Sequence, residues 1–133
     1  IRNANNSAFA MCFASLFFRI SDDRMKHEET DITNGLYLCN QLSPESYLMG
    51  EGDNPSEWKR QYGFIAQEVL ATDLSFIVNQ PEDPNEMLSV NYEDLHAVWC
   101  SSIKELHKEQ QADKEKFAKM EARLTALEQR LDA

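Results

Sequence analysis

"WCSSIKELHKEQQADKEKFAKMEARLTALEQRL", residues 99–131, contains neither proline nor glycine, and no later position holds either. Trp99, Ile103, Leu106, Gln110, Asp113, Phe117, Met120, Leu124, Leu127 and Leu131 follow one another at alternating spacings of 4 and 3 residues. That is an unbroken heptad register, with Ile103, Gln110, Phe117, Leu124 and Leu131 at a and Trp99, Leu106, Asp113, Met120 and Leu127 at d. It predicts a long helix whose apolar stripe meets other copies of itself, in preference to a single helix packing on its own domain, because so short a chain holds no second stripe to cover it. In a parallel bundle each g position faces the e position five residues later in its neighbour. Those pairs are Glu109–Lys114, Lys116–Glu121 and Arg123–Glu128, all of opposite charge. Gln110 and Asp113 interrupt the apolar layers, a feature that costs stability and fixes register and orientation. The mixture of Phe, Leu, Ile and Met does not separate dimer from trimer.

Upstream of this helix the pattern shortens. Asn91, with Asp94 three residues on, is placed to cap its start. "QYGFIA", "LSFIVN" and "MLSVN" read as strands and "AQEVLAT" as a helix, with the turn-rich "QPEDPNE" between the last two strands. "ESYLM" after Pro44 reads as another short strand. Ile32, Leu36, Cys39 and Leu42 have helical spacing, and Thr30 or Asp31 is placed to cap that helix. Glycines 50 and 52 with Pro55 make "GEGDNPSE" a turn or loop. The whole predicts an α+β fold: a small mixed strand and helix domain followed by a long C-terminal helix.

In residues 8–18, "AFAMCFASLFF", large and small side chains alternate. A period of two with unequal faces predicts a strand buried on both sides. The segment resembles a signal-peptide core in hydropathy, but Arg2 is the only charge before it and it is too short to span a bilayer. It is expected to be the end of an upstream β-rich domain.

The net charge is −10 over 133 residues, which repels a phosphate backbone, so no nucleic-acid partner is expected. No membrane partner is expected either. Cysteines 12, 39 and 100 are widely spaced, and with the three scattered histidines they form no ligand cluster. Neither a metal nor a cofactor is expected, and the cysteines read as reduced, mostly buried small apolar residues.

The chemistry-bearing stretch is "RISDDRMKHEE", residues 19–29, where Ser21 and Lys26 lie five apart. A serine is a weak nucleophile until a base takes its proton. Lysine serves as that base where burial or a nearby cation favours its neutral amine, and Arg24 is two positions away. No GxSxG elbow and no Ser-x-x-Lys accompanies it. On spacing alone a solvated charged turn is the simpler reading.

Three motifs in order change that. "SDDRMK" (Ser21, Asp22, Arg24, Lys26), "GFIAQEV" (Gly63 to Val69) and Val90 with Tyr92 ahead of the long helix closely resemble one family. It is the C-terminal intramolecular chaperone and auto-processing domain of bacteriophage tail spikes, tail fibres and neck appendages, the endosialidase-type chaperone. The resemblance runs from residue 21 to about 107, and the remaining heptads fit the family's coiled-coil end. The chain differs in a longer, more acidic loop near 50–57, and in "LATDLSFIVNQ" where a proline-containing stretch is usual.

The resemblance implies a parallel homotrimer and self-cleavage at Ile20–Ser21, with Ser21 as nucleophile and Lys26 as general base, a single turnover in cis. Arg24 is a supporting residue, and Asp22 either orients Lys26 or caps the turn. The expected division is 1–20 as the end of a fibre or spike domain, 21–95 as the α+β chaperone domain and 96–133 as the trimerisation helix. Its partners are the other two copies and the upstream domain of the same chain. The implied setting is virion tail assembly in the host cytoplasm, with release of the chaperone after cleavage. Alternatives are a non-cleaving trimerisation domain of the same fold, or the related domain of a membrane-tethered transcription factor resembling myelin regulatory factor. A serine hydrolase acting in trans has least support, since nothing marks a substrate pocket.

Overall fold

The structure, a computed structural model, describes residues 13–50 and 52–133. The chain divides into two compact units, Ile1–Asp31 and Ile32–Ala133. The second unit carries seven regular elements: α1 Gly35–Asn40, β1 Glu45–Met49, β2 Lys59–Gly63, α2 Ala66–Leu70, β3 Val78–Asn79, β4 Ser89–Val90 and α3 Leu95–Leu131. Mixed helices and two small antiparallel sheets make it α+β.

α3 organises this unit. It has 37 residues and is therefore about 55 Å long. Only its first turns are buried, through Leu95, Val98, Ser101 and Ser102. Leu95 and Val98 join Leu42, Val69, Leu74, Ile77 and Val78 in a single core, with Leu38, Phe64, Leu88 and Trp99 packed around it. From Leu106 to the end every residue is exposed. Beyond Trp99, which packs on the core, the stripe predicted from the heptad therefore has no cover in one protomer: Phe117 is 67% and Leu131 84% exposed.

α1 and α2, with six and five residues, are too short to be stable alone and form against this core. Gly35 is buried where α1 meets α3. A Cβ there would come within 2.5 Å of the Ser102 nitrogen and 2.7 Å of the Ser101 Cβ. The Ser101 hydroxyl donates to the Ile32 carbonyl at 2.7 Å, and Ser102 donates to the Val98 carbonyl at 2.8 Å. α1 begins later than its apolar spacing suggests, and neither Thr30 nor Asp31 caps it. Asn34 precedes the helix without a side-chain bond. Instead the Leu36 N–H donates to the Glu105 carboxylate of α3 at 3.1 Å. The cap comes from a residue distant in sequence, which local reading does not see.

β1 pairs with β2 in register from Glu45↔Gly63 to Met49↔Lys59. The connecting loop is built rather than loose. Asn54 accepts from the Ser56 N–H and hydroxyl at 3.3 and 2.8 Å, Pro55 begins a 3-10 turn, and the Trp58 indole donates to the Gly52 carbonyl. Gly52 has φ +72°, the left-handed region that glycine adopts without strain.

Three strand expectations shrink. "QYGFIA" leaves the sheet at Gly63, because the Phe64 N–H donates to the Tyr92 hydroxyl at 3.0 Å and not to a strand. "LSFIVN" turns through a 3-10 helix at Ser75–Ile77, and only Val78 and Asn79 pair, with Val90 and Ser89. One further bond, Asn91 N–H to the Ile77 carbonyl at 2.8 Å, ends that ladder. Asn91 does not cap the long helix with its side chain, which donates to the Asp94 carboxylate at 3.0 Å. A 3-10 turn, Tyr92–Asp94, leads into α3.

The strand expected over 8–18 is not formed where it is described. Residues 13–20 are irregular and exposed, Ile20 by 80%. A strand needs a neighbouring strand on at least one edge, and among the described residues 13–20 belong to no sheet. Residues 8–12 of that expectation, with Cys12, lie outside the described residues. The cysteines are also more open than predicted: Cys39 is half-buried, Cys100 is exposed, and both are free thiols. Among the described residues no helix is long and apolar enough to cross a membrane.

Candidate functional site

Ser21 to Glu28 form a compact loop in the first unit. Its centre is a 3-10 turn, Asp23–Met25, with Asp22 as N-cap. The Asp22 side chain is short and lies directly before the turn, so one carboxylate oxygen reaches the Arg24 N–H at 2.9 Å. The same carboxylate takes the Arg24 guanidinium on both oxygens, Nε at 2.9 Å and Nη2 at 2.8 Å. Two backbone bonds close the turn, Met25 N–H to the Asp22 carbonyl and Lys26 N–H to the Asp23 carbonyl, both 3.0 Å. The guanidinium and, secondarily, the Arg24 N–H hold the Asp22 carboxyl below the usual carboxylate range. The same ion pair raises Arg24.

This turn reverses the chain, and Lys26 leaves it extended, at φ −110° and ψ 147°. Its side chain thereby reaches back across the turn, and Lys26 Nζ donates to Ser21 Oγ at 2.7 Å. Of the two roles open to Asp22, the geometry shows the cap; its carboxylate bonds Arg24, not Lys26. Glu28 then takes a left-handed φ of 56°, unusual for a non-glycine residue. Ser21, Asp22, Arg24 and Lys26 are all exposed in the protomer. The structure thus brings together the serine and lysine that spacing alone left as a charged turn. The Ile20 carbonyl belongs to the peptide bond just before Ser21. Among the described residues no three His, Cys, Asp or Glu side chains group as metal ligands.

Residues 21–76 match the family model of peptidase S74, chaperone of endosialidase. Over that stretch the chain is similar to this family. No curated protein matches the chain. The matched stretch begins at Ser21 and includes "GFIAQEV"; α3 lies beyond it.

Within the second unit the "GFIAQEV" and Val-x-Tyr motifs meet around Gly63. A Cβ at Gly63 would press on the Tyr92 hydroxyl and lie 2.7 Å from that of Tyr47. The Tyr92 hydroxyl accepts from the Phe64 N–H and also bonds the Tyr47 hydroxyl, which raises Tyr47 above the ordinary phenol range. Phe64 packs between two rings, Tyr92 at 6.0 Å and Trp99 at 6.3 Å between centroids. Trp99 is the first layer of the heptad stripe, so the family core motif is packed directly on the start of the seam. Sequence reading named Gly63 and Tyr92 only as motif letters, and Tyr47 and Glu105 not at all. Their roles depend on partners 16 to 69 residues away, and no local pattern carries them.

Proposed function

We propose that the chain is an intramolecular chaperone that assembles as a parallel homotrimer through Trp99–Leu131, aligns the three upstream segments, and then cuts itself at Ile20–Ser21. The observation that carries the cleavage reading is the 2.7 Å contact of Lys26 Nζ with Ser21 Oγ beside that bond. The family match starting at Ser21 supports it, as does the uncovered heptad stripe.

The chemistry uses proximity that is already covalent. Ser21 Oγ belongs to the residue whose nitrogen forms the Ile20–Ser21 amide, so attack on the Ile20 carbonyl carbon closes a five-membered ring. Such intramolecular geometry supplies much of the barrier reduction. For attack, Lys26 is neutral and the hydroxyl donates to it. Lys26 takes that proton and returns it to the Ser21 nitrogen as the C–N bond breaks. The product is an ester between the Ile20 acyl group and Ser21 Oγ. Water cleaves it to an Ile20 carboxylate and a free Ser21. Desolvation favours a lysine's neutral amine, and both residues are exposed in the protomer. Covering the loop on assembly would switch the site on.

Alignment has a physical purpose. Long-range β structure must bring three chains together before its contacts stabilise it, and that step is slow and open to misassembly. A C-terminal bundle raises the local concentration of the upstream ends. Removing it afterwards leaves the product kinetically trapped.

Intact mass of the purified chain tests the cleavage. The parent is expected to yield a fragment starting at Ser21, while Ser21→Ala and Lys26→Ala stay full length. A fragment starting at residue 21 from Ser21→Ala would overturn the nucleophile assignment. A parent that never cleaves, even as an assembled oligomer, would leave the non-cleaving assembly domain.

A further inference from the structure

The stripe on α3 is apolar in every layer but two, and those two are adjacent. Gln110 and Asp113 lie between Leu106 and Phe117, and both are exposed in the protomer. We propose that the Gln110 and Asp113 layers set the register of the homotrimer, through contact between Asp113 of each copy and Lys114 of its neighbour. This rests on the assembly reading above and names the residues that decide alignment within it.

In a parallel bundle a d side chain enters a hole made by four residues of the neighbour. For Asp113 in register these are the neighbour's Gln110, Asp113, Lys114 and Phe117. Each carboxylate therefore has an ammonium at the rim of its hole and a carboxamide one layer away. Lys114 is also the e partner of Glu109, so it is held between two carboxylates. The smallest slip that keeps the stripes facing is one heptad. Sliding one way moves Asp113 into the hole of Phe117, Met120, Glu121 and Leu124. Sliding the other way gives Ile103, Leu106, His107 and Gln110. Both slips take Lys114 from the rim, and the first replaces it with a like charge.

The other layers do not resist a slip. Leu124, Leu127 and Leu131 still face apolar layers or run past the end, whereas Ile103, Leu106, Phe117 and Met120 are set against Gln110 and Asp113 by one slip or the other, so the mismatches a slip creates in the stripe run through the two polar layers. The flanking charges resist weakly: Lys116 loses Glu121 but finds Glu128 in one direction and meets Lys114 in the other. An exposed ion pair shifts such an equilibrium by roughly a few-fold. A carboxylate pushed into an apolar layer without its counter-charge shifts it by roughly orders of magnitude. The polar layers therefore dominate register. A one-heptad slip displaces a chain by about 10 Å, enough to misalign three upstream ends that must pair residue by residue.

The experiment co-expresses chains carrying Leu124→Cys with chains carrying Leu131→Cys and identifies the disulfides by peptide mass after oxidation. It does so in the parent and in the Gln110→Leu/Asp113→Leu double variant, with oligomeric state from sedimentation. The parent is expected to give the in-register pairs 124–124 and 131–131 only. The double variant is expected to melt higher and to form 124–131 pairs in yields comparable to the in-register ones. In-register pairs alone from an assembled double variant would overturn the register role. A monomeric parent would overturn the assembly reading, and this proposal with it.

Discussion

Lys26 Nζ sits 2.7 Å from Ser21 Oγ because Asp22 folds the four residues between them into a capped turn. The pair is thus held by a third residue that touches neither functional atom. Five positions of extended chain would carry the two side chains far apart; the turn returns one to the other.

Asp22→Ala removes both the cap and the two-point bond to Arg24, and is expected to slow cleavage on the order of tenfold or more by releasing Lys26. Asp22→Asn keeps an acceptor for the Arg24 N–H and is expected to fall between. The pH dependence follows from the lowered Asp22 carboxyl. A group depressed in the folded state contributes stability above its unfolded pKa and loses it as pH falls through the folded value. The turn should therefore hold unchanged from neutrality down to about pH 4, the ordinary range of a free aspartate, and open only below that. Amide chemical shifts of Arg24 and Lys26 against pH report it; a transition near neutrality would contradict the assignment.

Tyr92→Phe removes the acceptor for the Phe64 N–H and the bonding partner of Tyr47. We expect a loss of about 0.5–1.5 kcal/mol in urea unfolding, the net worth of such a hydrogen bond, since Tyr92 is partly exposed. Tyr47 should then titrate closer to a free phenol, which ultraviolet absorbance at alkaline pH follows.

Gly35→Ala sets two effects against each other. Alanine favours a helix by about 1 kcal/mol over glycine, but its Cβ would overlap the Ser102 nitrogen and Ser101 at 2.5 to 2.7 Å. Backbone cannot move aside as a flexible side chain does, and overpacking costs about 1–3 kcal/mol. The net expectation is a destabilised protein, read as a lowered midpoint of unfolding. An unchanged or raised midpoint would show that α1 can shift along α3 at no cost.

The long helix was legible because its signal is local and repeated: a stripe from Trp99 to Leu131 with no breaker. β1 and α2 were legible for the same reason at smaller scale. What sequence did not carry were contacts between distant residues. Glu105 supplies the cap expected from Thr30 or Asp31, and Tyr92 takes the N–H that "QYGFIA" was expected to spend in a sheet. The alternation before Ile20 predicts a buried strand, yet Phe13 to Ile20 are irregular and exposed. Alternation reports that both faces want cover; it does not supply the partner. At the site, the Ser21 and Lys26 spacing was uninformative until the turn between them was known.

The most direct test of assembly-gated self-cleavage changes the seam and leaves the site intact. Leu124→Asp/Leu127→Asp places two unpaired carboxylates per chain into adjacent layers, each costing several kcal/mol when buried. Neither residue lies near Ser21 or Lys26 in sequence. The measurement is the fraction of Ser21-started fragment against time over a dilution series, beside the oligomeric state of each sample. The account predicts that the double variant is monomeric and uncut, and that Leu127→Ala cleaves faster as concentration rises. Normal, concentration-independent cleavage by a monomeric double variant would contradict it, because the site would then be complete within one chain.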